Sequence, residues 1–114
     1  PGWELPGGRV EHDESPATAA SREVDEELGL PRAPRRLLAL DYVSATDALI
    51  VVSDGGTLDD TIRFRLPPDE LSDARFVEPD RLDELLPRLK ARRARAALEA
   101  RAAGCAVYLE DGWT

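Results

Sequence analysis

The segment Gly8–Leu30, GRVEHDESPATAASREVDEELGL, constrains this chain more than any other. It contains a helix start, an apolar stripe, a helix stop and a cluster of carboxylates. Ser15 is a good N-cap, and Pro16 suits the first helical position, where a missing N–H costs nothing. Ala17, Ala20, Val24 and Leu28 recur at helical spacing and form one apolar stripe. Gly29 can adopt the left-handed backbone that ends a helix, and Pro31 prevents continuation. The pattern predicts a helix over 16–28. Glu23, Glu26 and Glu27 stand at i, i+3 and i+4 on one flank of it, beside the stripe. Like charges so placed destabilise a helix by about 0.2–0.5 kcal/mol per pair. The last turn, where they fall, also disfavours anions. Such a gathering implies a cation that joins it.

Carboxylates suit hard cations such as Mg²⁺ or Mn²⁺. The chain has one histidine, His12, and one cysteine, Cys105, so the usual nitrogen and sulfur zinc site is excluded. Gly7 and Gly8 precede the loop into the helix, and glycine there permits a close backbone approach and a carbonyl turned toward an ion. Mg²⁺ keeps several waters and meets substrates through phosphate oxygens, which makes a phosphate-bearing compound the natural partner of this site.

The remaining chain reads as α/β. Trp3–Leu5 has the alternation of a strand end, broken by Pro6-Gly7-Gly8. Leu37–Ser44 and Ala48–Val52 read as strands of a hairpin joined by Ala45-Thr46-Asp47, the second an apolar, β-branched run suited to a buried position. Asp54-Gly55-Gly56 reads as a turn. Thr61–Leu66 alternates like a strand, and Ala74–Val77 suggests a short one. Asp80 caps a short helix over 81–86, and Pro87 opens a longer one to Ala103 with Gly104 as its stop. Leu89, Ala96, Leu98 and Ala103 can form the buried side of that helix. Ala106–Leu109 is strand-like, and residues 110–114 read as a tail.

With 114 residues the chain is read as a single domain over 1–114. The net charge of −8 is uneven. Residues 87–103 hold Arg88, Lys90, Arg92, Arg93, Arg95 and Arg101 against only Glu99, so the rest is more acidic still. An acidic body argues against nucleic-acid binding. No apolar run has the length of a membrane span, and a lone cysteine asks for no oxidising compartment. A cytoplasmic protein is the expectation. The basic helix reads as a solvated amphipathic face rather than a phosphate contact. His12 reads as a solvated loop residue, Cys105 as a small core residue, and Trp3 and Trp113 as packing residues.

The spacing Gly8, five residues, Glu14, seven residues, Arg22-Glu23-Val24-Asp25-Glu26-Glu27-Leu28-Gly29-Leu30 resembles the Nudix box, G-x5-E-x7-R-E-U-x-E-E-x-G-U with U aliphatic, at every defined position. The resemblance implies a Nudix-like α/β/α sandwich with a mixed sheet. It also implies a hydrolase of nucleoside diphosphates linked to another moiety, working through metal-activated water. By that resemblance Glu26 and Glu27 are the main metal ligands. Glu23 is a further ligand or the base that activates water, the Gly7 carbonyl adds a ligand, and Glu14 binds metal directly or through water. Arg22 orients Glu23 through a charge-assisted hydrogen bond. A further acid beyond the box is expected at Glu70, with Asp69 and Glu78 as alternatives. Members of the family place strands ahead of the box. Here few residues precede the glycines, so those strands are expected to be missing, or a second copy is expected to supply a pairing edge in a homodimer. A nucleotide-type small molecule is the expected partner, with no role for nucleic acid or membrane. Substrate-binding residues are not legible. The rival reading is a non-catalytic nucleotide-sensing or regulatory domain of the same fold.

Overall fold

The local signals around Ser15 and Gly29 act as written. In the computed structural model, which describes residues 2–59, 61–69, 71 and 73–114, helix α1 runs Pro16–Leu28. The Ser15 side chain accepts from the Thr18 N–H at 3.1 Å. Gly29 sits at φ 69° and returns its N–H to Asp25 O at 2.9 Å. The other elements are β1 (Leu37–Val43), β2 (Ala48–Ser53), a 3-10 turn (Pro79–Arg81), α2 (Leu82–Leu85), α3 (Arg88–Ala103) and β3 (Val107–Glu110). The chain divides into two compact units. One comprises the N-terminal residues through Glu4, Arg36–Asp54 and Val77–Thr114, and the other Leu5–Arg35 and Gly55–Phe76.

The first unit holds a mixed three-stranded sheet in the order β2-β1-β3. Strands β1 and β2 pair antiparallel from Val43↔Ala48 back to Leu37↔Ser53, with a register irregularity between Leu37 and Ala39. Strands β1 and β3 pair parallel from Ala39↔Val107 to Tyr42↔Glu110. Helix α3 packs on β1. Leu38, Ala39, Ala97 and Leu109 form one core cluster, with Val52, Ala96 and Val107 against it. A second cluster joins Leu82, Leu86, Ala91 and Ala94, covered by Trp3. The buried face of α3 is therefore Ala91, Ala94, Ala97 and Ala100, small residues that let a helix approach closely. Leu98, expected inside, is exposed. Truncating a buried leucine such as Leu109 to alanine costs about 2–5 kcal/mol in a packed core.

Other expectations change here. The Ala48–Val52 run lies in β2 at the sheet edge and is not buried, because Leu49 and Val51 point away from α3 into solvent. Residues 62–67 join no ladder; the Arg65 N–H instead bonds the Leu28 carbonyl at the end of α1, at 2.8 Å. Residues 73–77 are also outside any strand, and Phe76 meets Phe64 with ring centroids 5.6 Å apart. Trp3–Leu5 is not a strand. Cys105 is exposed rather than in the core.

The tail is bound. Asp111 accepts from Ser44 N at 2.9 Å and Ser44 Oγ at 2.6 Å, and the Asp111 N–H returns to Tyr42 O. Asp41, fully buried on β1, accepts from Arg93 Nε at 2.7 Å and from the Gly112 N–H at 3.0 Å. A carboxylate there needs both partners, since an uncompensated buried charge is strongly destabilising. Arg92 lies over the Trp113 ring, 4.4 Å from its centroid, and donates to the Asp111 carbonyl. Among the described residues no helix is long and apolar enough to cross a membrane.

Candidate active site

The second unit carries the box. Consecutive turns of α1 bring Glu23, Glu26 and Glu27 to one flank, and the preceding loop folds back over them. What organises this cluster is Arg22. Its Nε donates to Glu14 Oε2 at 2.7 Å and its Nη2 to Glu14 Oε1 at 2.9 Å, a two-pronged hold on one carboxylate. Nη1 donates to Glu23 Oε1 at 2.9 Å and reaches Glu26 Oε2 at 3.3 Å. Nη2 also donates to the Arg9 carbonyl at 3.1 Å, and Glu11 lies 3.5 Å from Nη1. A single guanidinium thus ties loop residues 9, 11 and 14 to two helix carboxylates.

Burial grades the cluster. The side chains of Glu14 and Glu23 are 11% and 16% exposed, against 58% for Glu26. The inner carboxylates are held, while the outer one remains open to solvent. Arg22, with the Glu11 N–H as a second donor, holds the Glu14 carboxyl down at about 2 against an ordinary 4.5. Arg22 is itself raised above the usual guanidinium value by Glu14 first and Glu23 second.

The glycines explain the close approach. A Cβ on Gly8 would stand 2.5 Å from the carboxyl carbon of Glu23, so a side chain there would push that carboxylate out of its present place. Gly7 takes φ 152°, and its N–H donates to Glu27 Oε1 at 2.9 Å. Two of the box glutamates therefore rest against the glycine pair, one by packing and one by a hydrogen bond.

The donor set near Gly7 and Gly8 is oxygen only, which fits a hard divalent cation and not zinc. His12 is exposed, with Asp13 3.5 Å away. Among the described residues no three His, Cys, Asp or Glu side chains converge closely enough to enclose an ion. Glu14, Glu23 and Glu26 are gathered by Arg22, while Glu27 rests on the Gly7 N–H. Both Glu14 oxygens accept from Arg22. Glu70 lies outside the described residues. Asp69 is exposed, and Glu78 belongs to the first unit, just ahead of the 3-10 turn. The Glu11 and Arg9 contacts to Arg22 carried no signal in the spacing, because a loop carbonyl and a neighbouring acid recruit by proximity alone.

A loop–helix site of this kind, with carboxylates resting on a glycine pair, presents the oxygen-only donors that a hard cation takes. Residues 1–100 match the family model described as NUDIX domain. The chain belongs to the Nudix family. It is 36% identical over 89 residues, 75% of its length, to CMP-5'-(N-acetyl-N-hydroxy-3-aminopropyl)phosphonate hydrolase of Streptomyces rubellomurinus (strain ATCC 31215). It spans 42% of that protein's length. No solved structure matches the chain.

Proposed function

We propose that the chain is a divalent-metal-dependent hydrolase that cleaves a pyrophosphate-type bond in a nucleotide joined to a second group. The observation that carries this reading is the placement of Glu23 between Gly8 and Arg22. One carboxylate oxygen is fixed by the Nη1 donor, and Oε2 makes no hydrogen bond among the described residues. An oxygen so held is suited to take a proton from an attacking water. The similar Streptomyces protein is named for a substrate with both a CMP and a phosphonate portion, which supports a nucleotide-linked phosphorus centre as the target.

Glu23, Glu26 and Glu27, with the Gly7 carbonyl, would hold Mg²⁺ or Mn²⁺. Such an ion, when bound, supplies activation of water and neutralises charge at phosphorus. The chain's own residues do the rest. Arg22 sets the orientation of Glu23. Glu14, gripped by the same guanidinium, is a positioning residue that fixes Arg22 and through it the loop. The bare backbone at Gly7 and Gly8 keeps the loop within reach of the carboxylates. Glu70 is the proposed additional acid.

The test is product release from CMP-phosphonates, nucleotide sugars and ADP-ribose, with and without Mg²⁺. The reading expects Mg²⁺-dependent cleavage that is lost in Glu27→Gln. Tight nucleotide binding with no product after long incubation would instead identify a sensing domain.

A further inference from the structure

We propose that Arg32 and Arg35, converging on Gly56, form a binding site for a phosphate-type oxyanion. The site is independent of the hydrolytic reading. Gly56 follows β2 with φ +86°, a conformation that favours glycine. A Cβ built there would lie 2.9 Å from Arg35 Nε and 3.3 Å from Arg32 Nη1. Both guanidinium groups therefore pack on the same stretch of bare backbone, with those two nitrogens within roughly 6 Å of each other.

Four other arginines are each matched to an acid. Arg22 has Glu14, Arg93 has Asp41, Arg95 has Asp83 and Arg101 has Asp54. Among the described residues no carboxylate lies within ion-pair distance of Arg32 or Arg35. Arg32 has only a long 3.5 Å contact from Nη1 to the Gly55 carbonyl. Two like charges held together repel, and an anion between them removes the repulsion.

Arg32 is held by its backbone. Ser21 Oγ donates to the Arg32 carbonyl at 2.9 Å, and the Arg32 N–H donates to Leu30 O at 2.9 Å. Pro31 and Pro34 bracket Arg32 and restrict the segment. Less order is therefore lost when a ligand binds. Arg32 also borders a groove of about 630 Å³ along α1, with Ser21, Asp25 and Pro34 in its wall. Planar guanidinium forks match a tetrahedral oxyanion, and two of them match the charge of a phosphate dianion. The net charge of −8 favours a small anion over a polyanion.

The test uses the full chain, ¹⁵N-labelled, with EDTA present and ionic strength fixed, so that a failure of metal chemistry leaves it untouched. Inorganic phosphate is titrated first, then CMP. Saturable shifts at the Gly55 and Gly56 amides and at the Arg32 and Arg35 Nε–H signals are expected, with binding at least about tenfold weaker in R32Q/R35Q. Arg35 is exposed, so R35Q alone serves as a second, structurally neutral variant and is expected to weaken binding in the same direction. CMP binding tighter than phosphate through these residues would identify a phosphorylated small molecule as the ligand. Equal binding would identify free phosphate. Shifts that never saturate, or that persist unchanged in both variants, overturn the site.

Discussion

Helices α1 and α3 are both densely charged, and they use charge in opposite ways. On α3 the cations are distributed. Lys90 pairs with Glu4, Arg93 with Asp41, Arg95 with Asp83 and Arg101 with Asp54, each with its own acid. Arg92 turns to a carbonyl and an indole. On α1 the anions converge. Glu23 and Glu26 share one guanidinium with Glu14, and Glu27 reaches the Gly7 backbone. The distributed arrangement fastens segments together, and each pair stands alone. The convergent arrangement concentrates negative charge on one side of a glycine loop, with one cation among several acids. Charge density is therefore a poor guide to function. The number of like charges served by a single counter-charge separates the site from the scaffold.

The contrast can be broken by substitution. The largest effect is expected from Glu26→Gln or Glu27→Gln, which should lower turnover by about a hundredfold or more while circular dichroism stays unchanged. Full activity in both would remove α1 from the chemistry.

Next comes Asp41→Ala in the scaffold. It leaves the mostly buried Arg93 without its carboxylate and should destabilise the fold by about 3–5 kcal/mol in urea unfolding. Arg22→Lys follows. A point charge cannot reproduce the two-pronged grip on Glu14, and loss of a positioning contact of this kind costs about ten- to a hundredfold in activity or metal affinity. The fall should appear in kcat, with the folded spectrum retained.

The pH response of Glu14 is a finer probe. Its folded pKa is depressed to about 2 from 4.5. Its stabilising contribution is therefore complete above about 4.5 and lost as pH falls toward 2. Glu14→Gln should be less stable than the parent at neutral pH, and the difference should shrink through that window. A difference independent of pH would contradict the ion pair. The smallest effect belongs to Arg95→Ala, whose exposed pair with Asp83 should contribute at most about 1 kcal/mol.

Legibility in the sequence tracked the range of the interactions. Helix α1 could be read to the residue because its determinants, Ser15, Pro16 and Gly29, act within a turn of where they stand. The hairpin and β3 were legible within a residue or so for the same reason. The Thr61–Leu66 strand was not borne out, because alternation shows that a segment can pair and not that a partner is present. There the Arg65 N–H is taken by Leu28 O. The buried reading of Ala48–Val52 failed because Leu49 and Val51 lie on an exposed face of β2, which among the described residues is also an edge strand. Asp41 inside an apolar run was a signal of a buried pair, but its partner Arg93 is 52 positions away, beyond any local pattern. In the site, the box spacing named the acids. It did not show that Arg22 would take both oxygens of Glu14.

A hydrolytic role for the Arg22-centred carboxylate cluster separates an enzyme from a sensing domain. The most direct measurement compares Mg²⁺-dependent CMP release from a CMP-linked phosphonate by the parent chain and by Glu23→Gln, at matched fold and nucleotide affinity. Release by the parent and a loss of at least about a hundredfold in kcat in the variant are expected. Equal rates, or nucleotide bound by both with no product from either, would contradict that role.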